Sequence, residues 1–313
     1  MKVCSVSVDV DSLNSNFKGF GLRKREYSYN EFQTGIENIL NFFAQYNVKA
    51  TFFFVAQDLE IKKNAHFITS VTGAGHEVAS HSYSHPQGFS LLSHEEKIYE
   101  LKNSKEIIEA ISRQRVIGFR APGWNISDDT LPIFRDLGYT YDSSIFPTSI
   151  AWFLKAIHYT KMWKRDRLAK TTLGHLYYTF SPSYPYHTDE KKMGKRGDTD
   201  FIEFPVQVTG ILRLPFFATF HLAYPSFIKK GFNAIKNRKI INYQMHLSDF
   251  VDYLEKEFEG ELPKKFGSYI PLSLKMKISD KMEIWEKIFS MMSQDYKFET
   301  LQFCAQNFKP SVY

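Results

Sequence analysis

Two aspartates and two histidines have the spacing in this sequence that is best suited to chemistry. Asp9 and Asp11 lie one residue apart in VSVDVDS, and His81 and His85 lie four residues apart in HSYSH. Two imidazoles and one carboxylate can hold a divalent cation such as zinc and leave coordination positions open for water and substrate. The other carboxylate would be free to act as a base, so these residues predict a metal site with a spare carboxylate.

The predicted strands before these residues would place them at one end of an α/β fold. Residues 2–10 alternate with the period of a strand and end in the acidic pair, and a short apolar stretch after Gly75 precedes the histidines. Ligands at the carboxyl ends of different strands are typical of α/β barrels. Either motif alone would also suit a turn cap or a solvated surface, so the prediction depends on their combination.

The sequence alternates between predicted strands and predicted helices as far as Asp142. The further strands are predicted over residues 50–56, 75–80, 116–119, 139–142, 201–208 and 239–245. The helices are predicted over residues 32–43, 62–70, 93–111, 248–258 and 279–293. The third of these opens with a capping box, Ser93-x-x-Glu96. Such alternation favours parallel strands with right-handed crossovers.

Residues 150–239 interrupt this regularity and carry most of the positive charge. They contain 16 Lys and Arg against 6 Asp and Glu, whereas the whole chain has a net charge of +6. Within this predicted insertion, residues 152–170 and 216–239 mix aromatic and aliphatic side chains with basic ones. That composition predicts peripheral contact with an anionic membrane. The alternative is a solvated insertion packed by its own aromatic residues.

Length and composition are those of an ordinary globular chain of 313 residues, 43% of them hydrophobic and 24% charged. We expect a single domain over residues 1–313. Cys4 and Cys304 are too few for a disulfide framework and favour a reducing compartment. No signal peptide precedes the first predicted strand, and no uncharged apolar stretch approaches the roughly 20 residues of a membrane span. We therefore expect a cytoplasmic protein, soluble or peripheral at the inner face of a membrane, without a nucleic-acid partner.

Five motifs in chain order resemble those of the metal-dependent polysaccharide deacetylases with a NodB homology domain, carbohydrate esterase family 4. They are Asp9 and Asp11; Gly75-His76-Glu77 followed by His81 and His85; Arg120 and Pro122 in GFRAPGW; Asp142; and His246. One such motif is weak, but five in order, each after a predicted strand, are specific. The resemblance runs through most of the chain. It implies a distorted (β/α) barrel with an insertion after the fifth strand.

Three positions depart from the family pattern. Val10 separates two aspartates that are adjacent in many members, Ile145 stands where a tryptophan is usual, and Gln244 stands where a leucine is usual. None of them removes a predicted metal ligand. Ile145 and Gln244 fall where the acyl pocket would be shaped, so they bear on the substrate more than on the chemistry.

The resemblance implies metal-dependent hydrolysis of an N-acyl group. Asp11, His81 and His85 would bind the cation, with zinc as the default and other divalent transition metals as alternatives. Asp9 would take the proton of the attacking water. Arg120 would pair with Asp9 and keep it ionised, although Arg120 could also form a purely structural ion pair.

The remaining matched residues would serve the leaving group and the oxyanion. His246 would protonate the departing amine, and Asp142 would keep its imidazole charged and oriented. The backbone N–H of Gly123, after Pro122, would be the oxyanion donor besides the metal, and Trp124 would line the sugar site. His246 and Trp124 could instead be core residues, and Asp142 an ordinary turn residue.

The predicted substrate is an amino sugar with an N-acetyl or N-formyl group. A cytoplasmic enzyme cannot reach mature cell-wall glycan, so we expect a surface-glycan precursor linked to a polyprenyl phosphate or to a nucleotide. Two rival functions remain: hydrolysis of a small non-sugar amide or cyclic imide on the same scaffold, and a catalytically silent glycan-binding or membrane-docking protein. A second carboxylate beside a complete ligand set argues against the silent protein. The sequence leaves the oligomeric state open.

Overall fold

A computed structural model describes residues 1–19, 30–255 and 272–309 of the chain. The strands in these residues are β1 (Val3–Val10), β2 (Ala50–Phe54), β3 (Glu77–Ser80), β4 (Gly118–Phe119), β5 (Tyr141–Asp142), β6 (Tyr186–His187), β7 (Ile202–Glu203), β8 (Ile240–His246) and β9 (Lys297–Phe298). The helices are α1 (Leu13–Gly19), α2 (Asn30–Gln45), α3 (Ala56–Leu59), α4 (Lys62–Gly73), α5 (His94–Ser112), α6 (Leu131–Asp136), α7 (Ala151–Lys161), α8 (Ala218–Ala223), α9 (Ile228–Ile235), α10 (Ile278–Asp295) and α11 (Leu301–Gln306).

The strands form one sheet in the order β6-β7-β5-β4-β3-β2-β1-β8, and β9 also pairs with β1. Neighbouring strands run parallel except β6 and β7, which are antiparallel. With helices between its strands, this sheet forms the distorted (β/α) barrel that the sequence predicts. Parallel strands end at the same rim, so the residues that follow β1, β3, β4 and β8 meet there.

Strand β1 lies inside the sheet and is buried along its whole length. Val6 and Val8 join the main hydrophobic core together with helix α2. The opposite face is polar, because Ser7 donates a hydrogen bond to Asn242 at 3.0 Å and accepts one from Arg120 at 2.9 Å. The alternation in the sequence therefore separates two buried faces of the strand.

The helix predicted over residues 248–258 is absent from residues 248–255, the part of that range that the structure describes. A 3₁₀ turn over Leu247–Phe250 follows β8, and residues 251–255 are irregular. Residues 256–258 lie outside the described residues. The buried carboxylate of Asp249 accepts a hydrogen bond from the backbone N–H of His246 at 2.8 Å, and this bond closes the tight turn.

The predicted insertion, residues 150–239, adds an apolar cluster beside the sheet. This cluster contains Phe146, Ala151, Leu173, Val206, Val208 and Phe217, with Trp124 and Leu154 packed against it. Strands β6 and β7 extend the sheet beyond β5 before β8 returns beside β1. No helix in the described ranges is long and apolar enough to cross a bilayer.

Candidate active site

A cavity of about 280 Å³ gathers most of the predicted site residues at the carboxyl ends of the strands. Its lining includes Asp9, Asp11, His81, His85, Gly123, Trp124 and His246. Asp9 and His246 are directly paired in the ladder between β1 and β8. Arg120, Pro122 and Asp142 are buried and are not part of the lining.

The three predicted metal ligands lie close enough to share one cation. One ligand atom from each of Asp11, His81 and His85 lies within 4.8 Å of the other two. Nδ1 of His81 is 2.7 Å from the carbonyl oxygen of Arg120. A carbonyl oxygen only accepts, so Nδ1 carries the proton and the Nε2 lone pair faces the site. The donor set and this orientation fit a divalent cation such as zinc.

The loop between the two histidines is held in an uncommon conformation. Ser82 and His85 both have positive φ, 67° and 57°. The carboxylate of Glu100 on α5 accepts hydrogen bonds from the backbone N–H groups of Tyr83 and Ser84, at 2.9 and 2.8 Å. These hydrogen bonds stabilise the strained loop that orients the predicted metal ligands His81 and His85. Sequence reasoning missed Glu100, because a helical glutamate ordinarily faces solvent.

Burial favours the neutral form of all three predicted ligands, which is the metal-binding form of the two imidazoles but not of Asp11. Burial and, less strongly, the neighbouring charge of Asp9 raise the pKa of Asp11 to about 7, although the charge of His246 opposes the rise. Burial also lowers the pKa of His85 to about 3, with a further contribution from His81. Burial likewise lowers the pKa of His81, so both imidazoles are neutral near pH 7. A cation would favour the ionised form of Asp11 in this dry site.

Asp9 is ionised and held at both oxygens. Its Oδ1 accepts a hydrogen bond from Arg120 at 2.6 Å, and its Oδ2 accepts one from Gln244 at 2.6 Å. Burial alone would raise the pKa of Asp9, but the charge and hydrogen bond of Arg120 and the charge of His246 outweigh it and lower that pKa. The predicted ion pair between Arg120 and Asp9 is thus present.

Arg120 is itself completely buried, and all three of its guanidinium nitrogens donate hydrogen bonds. Its Nε donates to the carbonyl oxygen of Ser143 at 2.9 Å, and its Nη2 donates to Ser7 at 2.9 Å. Its guanidinium carbon lies 4.3 Å from the ring centroid of Phe53. Such a guanidinium cannot reorient easily, so it gives Asp9 one fixed position.

Gln244, which the sequence predicted only as part of the acyl pocket, links Asp9 to Trp124. Its Oε1 accepts a hydrogen bond from Trp124 Nε1 at 2.9 Å, while its Nε2 donates to Asp9. The Trp124 ring is packed between Phe146 and Phe217, with centroids 5.1 and 5.4 Å away. The substitution of the usual leucine by Gln244 was the signal that could have revealed this bridge.

The prediction that Asp142 orients His246 is wrong. The Asp142 carboxylate accepts hydrogen bonds from Ser144 Oγ at 2.6 Å and from the Ser144 N–H at 3.0 Å. Ser144 Oγ in turn accepts from the N–H of Ala121 at 2.8 Å. Asp142 therefore supports the loop after Arg120, and four strands of the sheet separate β5 from β8, the strand that ends in His246.

The carboxylate next to Nδ1 of His246 is that of Asp249, three residues later in the sequence. Asp249 Oδ2 is 3.8 Å from His246 Nδ1, and Asp9 Oδ2 is 3.9 Å from His246 Nε2. Burial lowers the pKa of His246, but the negative charges of Asp249, Asp9 and Asp11 outweigh it and raise that pKa to about 9. The imidazole is therefore protonated at neutral pH and can donate a proton.

Gly123 lines the cavity with a backbone conformation that favours glycine. Its φ is +57°, and a Cβ there would lie 2.1 Å from the Gln87 side chain. Its carbonyl oxygen accepts from Leu173 N–H and Thr172 Oγ1, both at 3.0 Å. Pro122 starts the 3₁₀ turn that includes Gly123, so it shapes the wall without lining it.

Comparisons with known proteins agree with this geometry. A family model described as polysaccharide deacetylase matches residues 27–141, which include both histidines and Arg120. A peptidoglycan deacetylase of Helicobacter pylori is 30% identical over 113 residues, covering 36% of this chain and 38% of that protein. The chain spans about two fifths of the length of the curated relatives it matches.

Two solved structures share the fold over nearly the whole chain. A Mycobacterium smegmatis protein described as a polysaccharide deacetylase has a TM-score of 0.59 at 16% identity, with 100% of this chain and 94% of that chain covered. Puue allantoinase has a TM-score of 0.56 at 11% identity, with coverage of 97% and 89%. The family model therefore assigns residues 27–141 to the polysaccharide deacetylase family, and the two solved structures show the same fold over nearly the whole chain.

Proposed function

We propose that the protein removes an N-acyl group from an amino sugar by metal-assisted hydrolysis. The observation that carries the proposal is the position of Asp9 Oδ2, 3.9 Å from Nε2 of both His81 and His246. One carboxylate oxygen therefore lies between a ligand of the predicted metal site and a protonated imidazole. A hydrolytic base and acid need this arrangement around one scissile bond.

Asp11, His81 and His85 would hold the cation. When bound, a divalent cation of this type polarises an acyl carbonyl and makes water a stronger nucleophile at neutral pH. Zinc is the default because the donor set is two imidazoles and one carboxylate.

The other residues of the site move protons and stabilise charge. Asp9 takes a proton from the attacking water at Oδ2, while its Oδ1 stays bound to Arg120. The backbone N–H of Gly123 is the protein's donor to the oxyanion. His246 then gives its Nε2 proton to the amine nitrogen as the C–N bond breaks, which releases a carboxylic acid and an amino sugar.

The amino sugar is the proposed substrate because the cavity offers aromatic faces beside the catalytic residues. Trp124, Phe17 and Tyr253 line it, and sugar rings stack on such surfaces. We further propose that the sugar belongs to a surface-glycan precursor at the cytoplasmic face of a membrane, linked to a polyprenyl phosphate. Bilayer contact through residues 152–170 would serve such a substrate.

The test is release of acetate or formate from a panel of N-acyl amino sugars linked to nucleotides and to polyprenyl phosphates. We expect activity that a chelator abolishes and that Asp9→Asn lowers by at least 100-fold, whereas Asp280→Asn on the exposed side of α10 leaves it unchanged. Activity that survives chelation, or no activity on any amino sugar, would refute the proposal.

The two rival functions predict different results in the same assay. A hydrolase of small amides or cyclic imides would act on allantoin-like compounds and not on sugars. A silent binding protein would act on nothing, although it would bind glycans. The shared fold with Puue allantoinase does not decide between them, because that likeness extends to the fold alone.

A further inference from the structure

Helix α7 has its large aromatic side chains on the side that faces solvent. Trp152 and Tyr159 lie seven residues apart, which puts them on one side of the helix, and the ring of Trp163 in the following turn lies 5.7 Å from that of Tyr159. Trp152 is 65% exposed and Trp163, just after the helix, is 64% exposed. Globular helices normally turn such residues inward, so this face is the reverse of the usual pattern.

A hairpin tip next to the start of α7 is also apolar and exposed. Val208 and Pro215 pair across the hairpin, and between them Ile211 is fully exposed and Leu212 is 68% exposed. Ser149 Oγ donates to the carbonyl oxygen of Leu212 at 2.7 Å and so ties the tip to the residues that lead into α7.

Phe180 extends the same surface. It is 83% exposed and lies between Thr179 and Ser181, whose carbonyl oxygens accept hydrogen bonds from Arg213 at 2.5 and 2.8 Å. Arg213 follows the hairpin tip directly. The three apolar elements are thus held together by polar bonds beneath them, while their side chains project outward.

Basic residues flank this apolar surface beside Trp163. Residues 151–170 contain six Lys and Arg against one acidic residue, Asp166. Asp166 accepts a hydrogen bond from the Ala169 N–H at 2.9 Å. Lys164, Arg165 and Arg167 are all exposed. Exposed apolar side chains flanked by cations are complementary to the headgroups and acyl chains of an anionic bilayer.

We propose that these residues form a docking face for an anionic lipid bilayer. The docking face consists of Trp152, Phe153, Tyr159, Trp163, Phe180, Ile211 and Leu212 with the basic residues Lys164, Arg165 and Arg167. The biological role of this docking face, which is to bring the proposed deacylase to a membrane, rests on the proposed function. The test of the docking face is independent of that function, because binding to vesicles is measured without substrate.

The docking face lies on the outer side of the cavity wall. Ala151 and Leu154, on the inner side of α7, pack in the apolar cluster with Trp124, and Trp124 lines the cavity. A protein docked here would present the cavity close to the headgroup layer. The other predicted stretch is not part of the face, because α9 buries Ile228, Phe232 and Ile235.

The experiment is co-sedimentation of the full chain with vesicles of phosphatidylcholine, alone or mixed with phosphatidylglycerol. We expect at least tenfold stronger partitioning onto the anionic vesicles, and weaker binding at high salt because salt screens the cations. The emission of tryptophan should shift to shorter wavelength on binding. Trp152 and Trp163 would report this shift, because Trp285 is completely buried and Trp124 is half-buried.

Two sets of variants test the two components of the face. The triple variant Trp152→Ser, Ile211→Ser, Leu212→Ser should lose about tenfold or more in partitioning, whereas Tyr99→Ser, an exposed aromatic residue on α5, should lose nothing. Lys164→Gln, Arg165→Gln, Arg167→Gln should remove the preference for anionic vesicles. The matched set Lys62→Gln, Lys63→Gln, Lys287→Gln makes the same change in net charge outside the face and should retain it.

Wild-type protein that ignores anionic vesicles, or variants that bind as well as wild type, would overturn the proposal. A lipid-free dimer that dissociates in the Trp152, Ile211 and Leu212 variant, with no vesicle binding, would assign the face to a second copy and overturn it too. Hydrolysis of a water-soluble N-acyl amino sugar is measured in parallel. Failure there contradicts the proposed function and leaves vesicle binding to be judged separately.

Discussion

Gln244 Nε2 donates a 2.6 Å hydrogen bond to Oδ2 of Asp9, the oxygen that faces His81 and His246. The two residues lie on adjacent strands, β8 and β1. Asp9 is thereby fixed from two sides, by Arg120 at Oδ1 and by Gln244 at Oδ2. Gln244 is a positioning residue, since it acts on the reaction through Asp9.

Gln244→Leu restores the family's usual residue and should lower activity here. A hydrogen bond to a charged group contributes about 1.5–3 kcal/mol, so kcat should fall by about 10- to 100-fold. The pKa of Asp9 should rise because its charged form loses a donor, and the acid limb of the pH profile of kcat/KM should move to higher pH.

The control for this substitution is Gln207→Leu. Gln207 is buried, and its side-chain Nε2 donates to the carbonyl oxygen of the next residue, Val208, at 2.7 Å. It should leave the acid limb in place. An acid limb that stays fixed in Gln244→Leu would show that the bond to Asp9 does not tune the base.

Asp249→Asn should move the alkaline limb of the rate profile. Because the pKa of His246 is about 9, wild-type activity should be retained at neutral pH and fall as pH rises through that value. Removing the charge of Asp249 lowers the pKa of His246, so the loss should begin at lower pH. The measurement is kcat against pH on one N-acyl amino sugar.

Asp142→Asn provides the matched control, since the sequence predicted Asp142 for the role that Asp249 fills. Its carboxylate bonds to Ser144 and not to the imidazole. The alkaline limb should stay in place even if the overall rate falls. A shift in Asp142→Asn and none in Asp249→Asn would reverse the assignment.

The strand ends could be predicted from the sequence because the alternation of strands and helices puts polar residues at one rim. Asp9, Asp11, His81, His85 and His246 all follow this logic, and the structure brings them into one cavity. What the alternation cannot show is which strands are neighbours across the rim. That information depends on the sheet order, in which β8 lies beside β1.

The wrong partner for His246 has this origin. Asp142 ends β5, and three strands separate β5 from β1 in the sheet, whereas Asp249 lies in the turn that follows His246 itself. A helix predicted over residues 248–258 would have directed that carboxylate along a helix face. The tight turn directs it back to the imidazole instead. The local backbone geometry therefore determines that Asp249 pairs with His246, which residue spacing alone could not show.

Arg120→Met should destabilise the fold because it leaves the buried charge of Asp9 without its partner. Removing one member of a buried ion pair costs about 3–5 kcal/mol, because the remaining charge is left uncompensated. In the wild type the lowered pKa of Asp9 contributes stability at pH values above its unfolded pKa, and that contribution is lost as pH falls through the folded value. The deficit of Arg120→Met should therefore be full at neutral pH and shrink in acid.

Urea unfolding at several pH values measures this deficit, with Arg135→Met as the control. Arg135 is exposed and makes one hydrogen bond, 3.3 Å long, to the carbonyl oxygen of Glu190. Its loss should cost less than about 0.5 kcal/mol at any pH. A deficit in Arg120→Met that does not change with pH would indicate lost packing and not a stranded carboxylate.

Zinc should stabilise the folded protein through Asp11, His81 and His85, whether or not a substrate is present. A ligand that binds only the folded state at 100 times its Kd contributes about 2.7 kcal/mol, so the Tm should rise by several degrees when zinc is added to chelated protein. His81→Ala should abolish the rise, because that imidazole is fixed with Nε2 towards the site. The exposed His66 is the control, and His66→Ala should show the full rise. An equal rise in both variants would place the stabilising zinc elsewhere on the protein.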